Sequence, residues 1–187
     1  TVSYEYFPPI YVCGILIDNT NAGDVLNDGG SVSYDKGSNT LTLKNANLTE
    51  TGTQDAIIVS GNDVFHTPIV INLVGENKLT TNVSGKMALN CDTLTFIGSG
   101  SLEAFAAYPP EDSGAINASW KLDIQGDCSI TTSCINNATV ADYNHTVIKQ
   151  TESGALVTDD LTISGNSSLF AYVDDDDYSK NTKCSAI

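Results

Sequence analysis

Leu122-Asp-Ile-Gln-Gly126 is one of five segments in this 187-residue chain that carry apolar residues two positions apart and end on a turn residue. The other four are Leu41-Thr-Leu-Lys-Asn45, Ile71-Asn-Leu-Val-Gly75, Leu94-Thr-Phe-Ile-Gly98 and Leu161-Thr-Ile-Ser-Gly165. The two-residue period predicts a strand with one buried face. Glycine at the end of four segments indicates a bend after the strand, where a side chain would obstruct the turn.

Two further apolar positions recur between these segments. After each turn residue comes an apolar residue that closes a second short strand: Leu48, Leu79, Leu102, Ile130 and Leu169. A third short strand is predicted around the apolar residues Ile57, Leu89, Ile116 and Leu156. No stretch has a sustained 3.6-residue apolar period, so we expect almost no helix. Repeats of this size cannot bury their own apolar face and gain a core by stacking on their neighbours.

Stacking at the inter-strand spacing of about 4.8 Å would place equivalent residues in columns. The predicted columns are Ile71, Leu94, Leu122 and Leu161, and beside them Leu73, Phe96, Ile124 and Ile163. Parallel crossovers favour a right-handed coil. We therefore predict an all-β fold, a single-stranded right-handed parallel β-helix (a solenoid) of about five coils with an N-terminal cap. An antiparallel sandwich is the alternative, but it does not explain why the motif returns at the same phase.

The length fits a single domain, residues 1–187, with three parts. Residues 1–39 lie outside the repeat register and are the predicted N-terminal cap, residues 40–173 form the β-helix coils, and residues 174–187 form an acidic C-terminal segment. Solenoids must cover the unpaired strand edge at each end. Asp174 to Asp177 would place like charges at one end and oppose end-to-end stacking.

The charge balance restricts the partners. Eight lysines, no arginine and 23 acidic residues give a net charge of −15. This balance argues against nucleic acid as a partner, because its phosphates require neutralisation by basic side chains. An anionic polysaccharide would be repelled unless a cation bridged it. The apolar runs are far shorter than a membrane span.

Five cysteines show no metal-binding spacing. Because the number is odd, at least one thiol is unpaired within the monomer. We interpret the cysteines as small buried apolar residues. A local bridge between Cys128 and Cys134 is the best disulfide candidate.

A resemblance to known proteins covers roughly residues 10 to 170 and is carried by the stretches 24–28, 32–35, 39–43, 72–79 and 94–102. These stretches resemble bacterial secreted or cell-surface proteins that are pectate-lyase-like right-handed β-helices, including carbohydrate-binding domain-containing proteins of gut anaerobes. The motifs are core and turn motifs, so they support the fold better than any activity. The resemblance implies a secreted or cell-surface location and a glycan-binding or adhesive role. Since Thr1 begins the chain without a charged-then-apolar leader, we expect any secretion signal to lie outside it.

Catalysis is the weaker interpretation of the sequence. A lyase of this fold would need a basic residue beside calcium, and without arginine that base would be a lysine. Lys121 lies next to a strand, but Asp160 occupies the matching position one repeat later, so a cross-coil salt bridge is expected. The Gly-His-Gly and Arg-x-Lys motifs that the resemblance implies for a hydrolase are absent. Neither His66 nor His145 belongs to a catalytic motif.

Aromatic residues indicate where a sugar would bind, since a pyranose stacks its apolar face on an aromatic ring. Trp120 lies at a position where other repeats have Asp, so it should face outward, although a role as a partly buried cover is equally compatible. Tyr108 and Tyr143 lie in two long loops that leave and rejoin the coil at the same phase. Asp112 and Glu152 each lie two residues before the returning glycine, where stacking would let them hold Ca²⁺, or they are solvated loop acids.

The sequence thus favours a secreted or surface-exposed β-helix that binds a polysaccharide or cell-surface glycan, or mediates adhesion, without catalysis. No organic cofactor is expected, and Ca²⁺ is the candidate ion. A calcium-dependent polysaccharide lyase or glycoside hydrolase is one alternative. A structural spacer within a larger surface protein is the other.

Overall fold

The computed structural model describes residues 9–49, 51–60, 68–110, 113–135 and 154–174. These residues form an all-β solenoid of about three turns, as a β-helix requires, and they contain no helix. The strands are β1 (Ile10–Val12), β2 (Ile15–Leu16), β3 (Val32–Asp35), β4 (Thr40–Lys44), β5 (Asn47–Leu48), β6 (Ala56–Ser60), β7 (Ile69–Val74), β8 (Glu76–Thr81), β9 (Met87–Gly98), β10 (Ser101–Ala106), β11 (Gly114–Ile124), β12 (Ser129–Ile135), β13 (Gly154–Thr158), β14 (Leu161–Ile163) and β15 (Ser168–Asp174).

The strands line three faces of the solenoid. The first face consists of β4, β7, the second halves of β9 and β11, and β14. The second face consists of β5, β8, β10, β12 and β15, and the third of β6, the first halves of β9 and β11, and β13. Every one of these neighbouring strands is parallel to the next. The antiparallel sandwich is therefore wrong, because its neighbouring strands would run in opposite directions.

Apolar side chains form inward columns, as predicted, but with a different register at one step. Phe96 pairs with Ile71 rather than with Leu73, and Leu94 pairs with Ile69. The predicted columns were therefore wrong by two residues between the second and third segments. Leu122 and Leu161 do continue the Leu94 column as predicted.

The error arose at a corner that contains two glycines. The prediction aligned Gly98 with Gly75, whereas a Cβ on Gly100 would lie 2.6 Å from the carbonyl oxygen of Gly75. The residue stacked on Gly75 is therefore Gly100. As a result Leu102 pairs with Asn77, two residues away from the predicted Leu79.

The third face corrects another predicted column. Ile58, rather than Ile57, pairs with Leu89, and Leu89 pairs with Ile116. Both Ile57 and Ile58 are buried, so the apolar run could not reveal which of the two stacks on the next coil.

The predicted corner after the first face is confirmed by the backbone. Asn45, Gly75, Gly98, Gly126 and Gly165 all have positive φ, between 51° and 104°. The glycines also stack closely, since a Cβ on Gly126 would lie 2.9 Å from the carbonyl oxygen of Gly98. In the first of these corners Asn45 takes the left-handed conformation, which asparagine tolerates better than most residues.

The first three strands do not follow the parallel arrangement of the repeat. β3 pairs with β4 in the antiparallel sense, and β1 pairs with both β2 and β6 in the same sense. Thus β4 and β6, at the N-terminal edge of their sheet, each have an antiparallel neighbour. Among the described residues, no helix is long and apolar enough to cross a membrane.

Asn77 is a buried polar residue in an inward column. Its side-chain oxygen accepts a hydrogen bond of 3.0 Å from the backbone N–H of Ala46, and its amide nitrogen donates to the carbonyl of Ser101 at 3.1 Å. These bonds join three successive coils, which offsets the cost of burying an amide among apolar side chains.

The predicted Cys128–Cys134 bridge is wrong. The two residues are separated by most of the extended strand β12, roughly 20 Å at 3.3 Å per residue, whereas a disulfide requires Cα atoms within about 7 Å. The Cys128 thiol instead donates to the carbonyl of Gln125 at 3.2 Å. Cys91, Cys128 and Cys134 are all buried, which confirms for these three the interpretation as small core residues.

Candidate functional site

Trp120 lies at a one-residue insertion in β11, at the corner between the third and first faces. Ala118 pairs with Cys91 and Lys121 with Thr93, so Ser119 and Trp120 together lie opposite the single residue Asp92. Such a β-bulge bends the strand and redirects a side chain. The Trp120 side chain is 58% exposed, which confirms the prediction that this position faces outward.

Carboxylates lie on the coils at both sides of Trp120. On one side, Ser119 donates its hydroxyl hydrogen to Asp92 at 3.0 Å, which fixes that carboxylate at the corner. On the other side, Asp159 and Asp160 are exposed between β13 and β14. An indole ring flanked by acceptors is the combination that stacks a sugar ring and binds its hydroxyls.

Lys121 forms its ion pair along the strand. Its Nζ lies 3.1 Å from Oδ2 of Asp123, two residues further along β11. The predicted salt bridge from Lys121 to Asp160 is therefore replaced by one within a single coil, because residues two apart on a strand share a face. The Asp123 side chain is mostly buried, and its Oδ1 has no hydrogen-bond partner among the described residues.

Tyr108 lies beyond the end of β10 and is half-buried. Its carbonyl accepts a hydrogen bond of 2.8 Å from the backbone N–H of Gly85, which ties this segment to the preceding coil. Gly114 and Trp120 lie six residues apart along β11, a length of roughly 20 Å. Since Gly85 lies two residues before β9, whose start neighbours the start of β11, the two aromatic residues lie toward opposite ends of β11. A single sugar unit would not contact both.

The two long loops leave and return in register, as predicted. Leu102 pairs with Ile130 before the loops, and Gly114 pairs with Gly154 after them. Four residues of these two loops lie outside the described residues: Tyr143, His145 and the predicted calcium ligands Asp112 and Glu152. His66 also lies outside them.

The outer side of the second face carries an aromatic pair that the sequence analysis did not select. Phe170 and Tyr172 on β15 are 62% and 43% exposed, and their ring centroids lie 5.4 Å apart at an interplanar angle of 43°. The signal was present, because two aromatic residues two positions apart must share one face of a strand. Only the inward Leu169 of this segment belongs to the predicted repeat.

A shallow depression of about 430 Å³ lies on the same outer side. Its polar lining includes Lys78, Glu103, Ser101, Ser129 and Thr131. Lys78 and Glu103 form an exposed ion pair at 3.0 Å across β8 and β10. Thr131 pairs with Phe170, so the depression adjoins the aromatic pair.

Among the described residues, no group of three or more His, Cys, Asp or Glu side chains is placed to hold a metal ion. Comparison of the chain with protein-family models, with curated proteins and with solved structures finds no match. A function for the chain must therefore be inferred from its own side chains.

Proposed function

We propose that this chain is a non-catalytic, secreted or surface-exposed β-helix protein that binds a polysaccharide or cell-surface glycan and thereby mediates adhesion. The observation that carries the proposal is Trp120, which a one-residue insertion presents outward between the carboxylates of two neighbouring coils. A β-bulge redirects a side chain, and bulges are frequent next to functional sites. A pyranose matches the site because its apolar face stacks on the ring while its hydroxyls donate to nearby acceptors.

The proposal extends to the finer architecture. We infer a right-handed, pectate-lyase-like β-helix of about five coils, because parallel crossovers are almost always right-handed. Residues 1–39 would be its N-terminal cap, and the antiparallel pairing of β3 with β4 supports this role. Bacterial origin and secretion are part of the same proposal.

The long loops would extend the binding surface. Tyr108 and Tyr143 would contact further sugar units, and Asp112 with Glu152 would bind Ca²⁺. The pairing of Gly114 with Gly154 supports this arrangement, because each acid precedes one of these glycines by two residues. A bound cation would also let the acidic chain accept an anionic glycan.

A Trp120→Ala, Tyr108→Ala double variant tests the proposal in a glycan array and in polysaccharide pull-downs. Loss of both rings should weaken binding roughly tenfold or more, since each stacked aromatic contributes about 0.5–1.5 kcal/mol beyond its buried area. Leu16→Ala is the matched control, because Leu16 is also an exposed large apolar residue but lies on the hairpin strand β2. Unchanged binding by a folded double variant would contradict the site. Absence of glycan binding by the unaltered chain would favour the structural spacer.

The calcium-dependent lyase and the hydrolase gain no support from the described residues. Lys121, the candidate base, is held in an ion pair by Asp123. Incubation with diverse polysaccharides and calcium, followed by absorbance of unsaturated products and by reducing-end assays, would detect either activity.

A further inference from the structure

We propose that the outer side of the second face is a second carbohydrate-binding surface, built around Phe170 and Tyr172, that takes a neutral oligosaccharide lying along the solenoid axis. Its ligand class rests on the proposed function, but its residues, orientation and charge preference are independent of Trp120.

The exposure of the aromatic pair is imposed by the strand. Leu169 and Ala171 point inward and pack against the core, so the intervening Phe170 and the following Tyr172 must point outward. The two rings lie side by side and tilted, at 5.4 Å, and form one apolar platform rather than two isolated side chains. Adjacent exposed aromatics on a rigid sheet are typical of a surface with a ligand.

A row of polar side chains continues from the platform across the coils. Phe170 pairs with Thr131, Thr131 with Glu103, and Glu103 with Lys78, each on a parallel neighbouring strand. At about 4.8 Å per strand, the row extends about 14 Å from Phe170. A sugar stacked on Phe170 would therefore have its neighbouring units over the hydroxyl of Thr131 and then over the ion pair.

A second row of hydroxyls runs parallel to the first. Ser168 pairs with Ser129, and Ser129 with Ser101. The Ser168 hydroxyl donates to the Ser129 hydroxyl at 3.2 Å, so the row is ordered. The depression of about 430 Å³ lies over these two rows and gives a concave bed beside the aromatic rings. Hydroxyls act as both donors and acceptors, as the hydroxyls of a sugar require.

The charges on this face select a neutral ligand. The only charges in the first row are those of Lys78 and Glu103, which offset each other in the 3.0 Å ion pair. Glu76 borders the second row, and the whole chain carries a net charge of −15. A uronate chain would be repelled here, whereas a neutral glycan would bind with little dependence on salt concentration.

Affinity electrophoresis through gels that contain one polysaccharide at a time tests this surface. The gels would contain xyloglucan, mixed-linkage β-glucan, galactomannan or polygalacturonate, the last with and without calcium. A Phe170→Ala, Tyr172→Ala variant is expected to bind the retained neutral glycan about tenfold more weakly. Thr131→Val keeps the β-branched shape and removes only the hydroxyl, with an expected loss of about threefold. Leu16→Ala is the matched exposed control.

The outcomes separate the two surfaces. Weaker retention of the aromatic double variant and of Thr131→Val, with Leu16→Ala unchanged, supports the second surface. If the aromatic double variant does not fold, as judged by circular dichroism, Thr131→Val decides alone. Loss of retention in Trp120→Ala with unaltered retention in both second-face variants overturns this inference and leaves the proposed function standing. Retention by polygalacturonate alone also overturns it, and no retention in any gel overturns both.

Discussion

Replacing Gly98 with alanine is expected to lower the free energy of unfolding by about 3 kcal/mol. Gly98 has a φ of +104°, where an L side chain costs about 1–2 kcal/mol. The new Cβ would lie 2.4 Å from the carbonyl oxygen of Leu73 on the preceding coil, and relieving such a contact costs about 1–3 kcal/mol. Alanine also reduces the conformational freedom of the unfolded chain, which offsets roughly 0.5–1 kcal/mol of this loss.

Thermal unfolding followed by circular dichroism measures this effect. For a chain of this size the expected fall in Tm is about 6–12 °C. Gly29→Ala is the matched control, because Gly29 has a φ of +97° but no atom within 4 Å of the added Cβ, so we expect a loss of only about 1 kcal/mol. If Gly98→Ala were no less stable than Gly29→Ala, close stacking of the corners would not be the reason for glycine there.

Burial raises the pKa of the Cys91 thiol, so maleimide should leave it unmodified at pH 8 until the protein unfolds. Labelling of Cys91 itself in the native protein, read by peptide mass spectrometry, would contradict this. Asn77→Leu removes buried hydrogen bonds between coils and should cost about 1–3 kcal/mol in denaturant unfolding. Hydroxyl hydrogen bonds hold the pKa values of Asp18, Asp28 and Asp35 below the usual 3.8. Their contribution is present above pH 3.8 and is lost as the pH falls through the lowered values, so Asn substitutions at all three should flatten the acid limb of a stability profile.

The corner chemistry could be predicted because it is local. A glycine such as Gly126 follows an alternating strand, and positive φ is a property of that one residue. Parallel stacking could be predicted as well, because an isolated repeat has no other means of burying the column that includes Leu122.

The register could not be predicted wherever two residues were equally suitable. Gly98 and Gly100 both satisfy a turn, and only the fit of Phe96 over Ile71 selects which of them stacks on Gly75. That fit depends on packing between residues far apart in the chain, which a single repeat does not reveal.

The candidate site, too, could be predicted only in part. Trp120 was found because the equivalent positions are polar, but the inserted residue that presents it became visible only from the pairing of β11 with β9. The pair of Phe170 and Tyr172 lay within reach of the two-residue period. It was missed because the repeat had been defined by its inward residues alone.

The corner that carries the glycine column does not tolerate insertion, whereas another corner of the solenoid does. Where Gly126 stacks on Gly98, a single added methyl group already meets the neighbouring backbone. At another corner, segments 107–113 and 136–153 differ in length, yet the strands that flank them stay in register. Peptide segments can therefore be inserted at that corner without shifting the register of the paired strands. Evolution or an engineer would diversify recognition there, while the glycine corner remains unchanged.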